Sequence, residues 1–142
     1  MWEQLRARSD GHPTRPTAFL ANLGSVPSHR ARSVWAQNLV AAAGVDAVIN
    51  DGFDDMQALA RAWKDSSASF AVICGSDEDY GKLLEPAVAV LKKAGCPVVL
   101  VAGRPGERGT VLREHGVSDF VFVGADVLRV LSQVLDSIGV QR

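Results

Sequence analysis

Neither sign of charge is in excess. Fifteen Lys and Arg face sixteen Asp and Glu, a net charge of -1 over 142 residues. The basic surplus expected of a nucleic-acid binder is missing. No apolar run approaches the roughly 20 residues that cross a membrane. The opening MWEQLRARSDGHPTRP has no apolar core of a secretory signal, so the expected compartment is the cytosol. There is no GxGxxG and no Walker loop. Cysteine is scarce, with only Cys74 and Cys96.

What is present is an alternation. Residues 1–16 carry Arg6, Arg8, Pro13, Arg15 and Pro16 and only Trp2 and Leu5 as large apolar residues, and read as an N-terminal arm or linker with a helical turn or two at 2–8. From residue 17 to 142 a single domain is expected. Strand-length apolar runs recur at 18–22, 46–49, 70–74, 97–102 and 119–123. They are rich in Val, Ile and Phe and lack the in–out alternation of a one-sided sheet, which suits strands covered on both faces. Between them run helical stripes: Met56, Leu59, Ala60 and Trp63, then Leu83, Leu84, Ala87, Val90, Leu91 and Ala94, then Val127 to Ile138. Lys92 and Lys93 before Gly95 mark a helix end, as Gly44 and Gly116 mark two others.

Five βα units predict an α/β, flavodoxin-like (Rossmann-type) three-layer sandwich with a five-stranded parallel sheet in the order 2-1-3-4-5. Cys74 then ends one strand and Cys96 opens the next, at opposite edges of the sheet. A strand is about 17–20 Å long, and bridged Cα atoms lie within about 7 Å. Two reduced, buried thiols are therefore expected.

Ligands of such sheets bind beyond the carboxyl ends of the strands, near the switch point between strands 1 and 3. The segments there are 22–31, 50–54, 75–80, 103–109 and 124–126. A receiver domain would need an acidic pair, an Asp and a Lys where Asn22-Leu23, Cys74-Gly75 and Gly124 stand. A flavin phosphate loop would need free N–H donors where Pro27 has none. Gly103, Gly106 and Gly109 read as a flexible strand-to-helix turn.

Of three histidines, His12 reads as solvated and His115 as a helix C-terminal residue before Gly116. His29 falls in the loop after strand 1, inside the crevice, and is the one histidine placed for ligation or acid–base work. Its neighbours Ser28 and Arg30 supply no orienting carboxylate, so the reading is an inert surface histidine, a metal ligand only if cobalamin binds. Ser76-x-x-Asp79 reads as a capping box rather than a metal site, with Asp51, Asp54, Asp55 and Asp126 at helix starts. Trp35 and Trp63 read as core. No catalytic residue is identified.

RPTAFLANLGS (15–25), AVICGSDEDYGKLLEPAVAVLKKAG (71–95) and FVGADVLRVLSQVLDSIGV (122–140), in this order and spacing, resemble the cobalamin-binding domain at the C-terminus of methylmalonyl-CoA mutase. The likeness is strongest to the small, non-catalytic subunit of the heterodimeric bacterial enzyme. WEQLRARSD (2–10) resembles the segment joining that subunit's barrel to this domain. Cobalamin-binding members carry Asp-x-His-x-x-Gly after strand 1. The His ligates cobalt and the Asp orients it. Aligned from Gly24, those positions hold Val26, Ser28 and Ala31, with His29 one residue late.

The family's Ser-x-Leu after strand 3, which lines the space for the cofactor's nucleotide tail, becomes Gly75-Ser76-Asp77. Its Gly-Gly pair after strand 4 becomes Gly103-Arg104. The degenerate-site candidates are thus Ser28, His29, Gly75, Ser76, Gly103 and Gly124. The resemblance implies a structural domain that binds no cofactor itself. Its implied partner is the large catalytic subunit, whose adenosylcobalamin chemistry interconverts methylmalonyl-CoA and succinyl-CoA. A (β/α)₈ barrel takes about 250 residues, for which there is no room. The alternative is a stand-alone module binding cobalamin or another small ligand through the loop after strand 1.

Overall fold

The computed structural model describes residues 2–11 and 16–139. The chain runs α1 (Trp2–Asp10), β1 (Thr17–Asn22), α2 (Val26–Ala42), β2 (Asp46–Val48), α3 (Met56–Ser66), β3 (Phe70–Cys74), α4 (Asp77–Lys93), β4 (Val99–Ala102), a 3₁₀ turn (Gly106–Arg108), α5 (Gly109–Glu114), β5 (Asp119–Val121) and α6 (Val127–Ser137). The five strands form one parallel sheet in the order β2-β1-β3-β4-β5, the flavodoxin-like order expected.

Alternate residues of each strand feed opposite faces. On one face Ala18, Leu20, Phe70, Val72, Leu100 and Val121 pack under α2 and α6. On the other Phe19, Ala21, Ala71, Ile73, Val101 and Phe120 pack under α3 and α4, with the Trp63 ring edge-on to Phe19 at 6.1 Å. Because both faces are covered, the central strands β1, β3 and β4 read as continuous apolar runs.

Three strands are shorter than expected. β2 stops at Val48, leaving Ile49 63% exposed, and β5 stops at Val121, leaving Val123 74% exposed. β4 starts at Val99, two residues beyond Pro97, so Cys96 precedes the strand rather than opening it. Among the described residues there are six helices, the first a helix of nine residues at 2–10 where a helical turn or two is expected at 2–8. It is docked: Leu5 is buried, the Ser9 hydroxyl donates to Ala43 O at 2.8 Å, and Arg8 donates to Asp136 at 2.8 Å. His12 lies outside the described residues.

Helix starts follow their residues. Ser76, Asp55 and Asp126 sit at the N-caps of α4, α3 and α6, accepting from Asp79 N, Gln57 N and Arg129 N. Asp77, Glu78 and Asp79 add negative charge to the first turn of α4, and Lys92 and Lys93 positive charge to its last. Ser76→Ala should therefore cost about 1 kcal/mol in a urea melt, with no change in m-value.

Both cysteines are free and buried. Burial pushes the Cys74 thiol up to about 12 and the Cys96 thiol up to about 11. Native protein at pH 8 is expected to be silent toward Ellman's reagent, while denaturant releases two equivalents. Reaction of a thiol in the native state as fast as a free thiol would contradict that burial.

Candidate functional site

The segment after β1 is not the loop expected across 22–31. Ser25 is an extended N-cap, Pro27 sits at the second helical position, and α2 begins at Val26. Only Leu23 to Ser25 remain as connection. Leu23 still pairs with the sheet through Cys74 O, and with Phe53 in an isolated bridge. Ser28 and His29 therefore lie in the first turns of a helix. The Ser28 hydroxyl contacts that of Ser25 at 3.1 Å.

His29 is 3% exposed, which corrects its reading as a surface residue. It belongs to the inward stripe His29, Ser33, Ala36 and Val40 of α2, at i, i+4, i+7 and i+11. Its ring lies under Gly52, where a Cβ would come within 2.7 Å of His29 Cε1. His29 Nδ1 is buried with no hydrogen-bond partner, so no orienting carboxylate reaches it.

The cover over this ring is the β2–α3 connection. Phe53 N donates to Asn22 O at 2.8 Å, and Gly24 N donates to Phe53 O at 3.0 Å. Asn50 Nδ2 donates to Leu20 O at 2.7 Å, and Asn50 Oδ1 accepts from Gly52 N at 3.0 Å. The buried Asn22 donates through Nδ2 to Asn50 O, at 3.2 Å. The connection is thus laced to the end of β1 rather than open above it.

At the ends of β3 and β4 stand Tyr80, from α4, and Arg32, from α2. Gly75 N donates to the Tyr80 hydroxyl at 3.1 Å. That hydroxyl donates to Ala102 O at 2.6 Å and also lies 3.0 Å from Ile73 O. The Arg32 guanidinium donates to Gly75 O at 2.7 Å and to Asp77 at 2.8 Å, with Cζ 5.1 Å from the Tyr80 ring centre. Burial drives the Tyr80 phenol well above its ordinary range, aided by Cys74 and opposed by Arg32.

The other sequence candidates divide around this pair. Gly75 and Gly103 are buried against it, whereas Gly124 is exposed with open space where a side chain would stand. Ser76 is committed to capping α4. Arg104 lies over the Phe122 ring at 4.7 Å. His115 is exposed at the end of α5. Among the described residues no three His, Cys, Asp or Glu side chains gather to hold a metal, and no helix is long and apolar enough to cross a membrane.

No protein-family model matches the sequence. Individual proteins do. The chain is 38% identical over 143 aligned positions to the methylmalonyl-CoA mutase small subunit of Streptomyces virginiae, covering 98% of this chain and 22% of that protein. It is 34% identical to the probable methylmalonyl-CoA mutase small subunit of Mycobacterium tuberculosis strain H37Rv, covering 97% and 23%. It is 28% identical to the methylmalonyl-CoA mutase small subunit of Porphyromonas gingivalis, covering 99% and 22%. The chain spans between a fifth and a quarter of these relatives' length. Over its own length, the chain is a homologue of the methylmalonyl-CoA mutase small subunits, and its fold is flavodoxin-like.

Proposed function

We infer that this chain is a degenerate cobalamin-binding-type domain of a methylmalonyl-CoA mutase small subunit, acting as a structural support of the catalytic subunit. One observation carries the reading: identity to small subunits that spans 98% of the chain. In the holo-enzyme adenosylcobalamin supplies the radical chemistry that interconverts methylmalonyl-CoA and succinyl-CoA. This chain contributes no catalytic residue to it. Its own residues do not fit a cobalt-bound cofactor. The one nearby histidine is folded into α2 under Gly52, and Val26 stands where the orienting carboxylate would be. The partner is the large subunit, in a heterodimer, and the setting is cytoplasmic.

The test is co-expression with a catalytic subunit, an affinity tag on that subunit, and size-exclusion chromatography of the eluate. The chain is expected to travel with the catalytic subunit in a stoichiometric complex. A chain that elutes alone and shifts the corrin bands of hydroxocobalamin, with the shift abolished by His29→Ala, would establish the stand-alone cofactor module instead.

A further inference from the structure

Gly75 and Gly103 occupy the positions that the resemblance assigns to the lining of a nucleotide-tail channel. Small residues there are expected to leave room for a ligand. The space they leave is taken by the chain itself. A Cβ on Gly75 would lie 3.1 Å from Tyr80 Cε1 and 3.3 Å from Leu23 Cβ. One on Gly103 would lie 3.3 Å from Tyr80 Cε2 and 3.5 Å from Arg32 Cζ. Both glycines therefore abut the same phenol ring, one at each edge.

The ring is held at its inner end and on its face. Its hydroxyl accepts from Gly75 N and donates to Ala102 O, which ties α4 to the ends of β3 and β4. Its face is covered by the Arg32 guanidinium, which reaches over from α2 to Gly75 O and Asp77. Arg32 keeps 31% of its side chain exposed, so it forms the solvent side of the arrangement. A planar aromatic group with one polar end is thus bonded to backbone at the carboxyl ends of β3 and β4.

We propose that Tyr80, covered by Arg32, is a built-in occupant of the crevice between α2, α4 and the ends of β3 and β4, and that it excludes the benzimidazole nucleotide tail of cobalamin. The proposal deepens the degenerate-site reading and rests on it for the identity of the excluded ligand. The glycines keep a purpose under it: they make room for the tyrosine. Loss of the cofactor site is then an occupied site as well as a set of missing ligands.

The test uses the full chain and two probes, hydroxocobalamin and free benzimidazole. Wild type is expected to leave the corrin spectrum unchanged and to show no rise in Tm with benzimidazole. Tyr80→Ala, checked for folding by circular dichroism, opens a phenol-sized space. Its Tm is expected to climb with benzimidazole concentration as mass action requires, while wild type and Tyr80→Phe stay flat. If Tyr80→Ala does not fold, Tyr80→Leu, which keeps apolar bulk but removes the planar ring, is read in the same titration with a smaller rise.

A corrin-band shift with wild type at micromolar cofactor would overturn the proposal. So would a folded opened variant whose Tm ignores benzimidazole. Neither result bears on co-purification with a catalytic subunit, so failure of this inference and failure of the small-subunit reading are told apart.

Discussion

Gly52→Ala is expected to lower unfolding free energy by about 3 kcal/mol or more, against a gain for the control Gly81→Ala. Gly52 has φ +107°, a conformation that side chains rarely adopt. Holding a non-glycine residue there costs on the order of 1–3 kcal/mol. The added Cβ would also stand 2.3 Å from Gly24 O and 2.7 Å from His29 Cε1. The first of these is backbone, and it cannot swing aside. Nor can the loop lift away easily, because Phe53 is bonded to both Asn22 and Gly24. Overpacking of this kind adds roughly 1–3 kcal/mol.

Gly81 lies within α4, and a Cβ there would meet nothing within 4 Å. Alanine at such a helical position gains roughly 0.5–1 kcal/mol. Urea melts of the two variants followed by tryptophan fluorescence make the comparison. Equal, small effects would mean that the β2–α3 connection is not laced down over His29 as described.

The architecture was legible because buried parallel strands and amphipathic helices announce themselves differently. FAVIC and the run to Ala102 are apolar throughout, whereas Leu59 and Trp63, or Leu84, Ala87, Val88 and Leu91, repeat at helical spacing. Strand ends are less legible where apolar residues continue past the last ladder bond. Ile49 and Val123 look like strand residues and yet stand in solvent, because β2 and β5 are edge strands with a neighbour on one side only. Apolarity alone does not say where pairing stops.

The candidate site is more legible in place than in conformation. The place follows from topology: parallel strands bring the segments after β1, β3 and β4 to one end of the sheet. The conformation at His29 was marked by Ser25-Val26-Pro27, a capping serine followed by an early-helix proline. Counting on from that start puts His29 on the same stripe as Ala36 and Val40. The stripe is faint because its other member is Ser33, a polar residue on a buried face. Arg32 and Tyr80 carried no such marker. They are 48 positions apart on different helices, and only the packing of α2 and α4 at the end of the sheet makes them neighbours.

Tyr80→Phe is expected to cost on the order of 1–3 kcal/mol, although it removes a single oxygen. That oxygen accepts from Gly75 N and donates to Ala102 O. Phenylalanine keeps the ring, so packing against Gly75, Gly103 and Arg32 persists and the loss is one of hydrogen bonds. Gly75 is buried, so its amide is left without the partner that offsets its desolvation, which is what makes the change costly.

The same residue sets a pH limit. Tyr80 is the only tyrosine, so absorbance at 295 nm reports it alone. In the unfolded chain a phenol ionises near 10, and burial raises the folded value above that. An acid whose folded pKa is raised contributes stability in full below its unfolded pKa and loses it as pH climbs through the gap. Cys74 and Cys96 act in the same direction from 9.0 upward, to about 12 and about 11.

Stability should therefore be flat through neutrality and fall from about pH 9, with tyrosinate appearing only as the protein unfolds. In Tyr80→Phe the decline above pH 10 should be shallower, since only the thiols remain to drive it. A tyrosinate signal that grows near pH 10 while circular dichroism stays native would show the phenol open to solvent, and would remove it from the interior of the crevice.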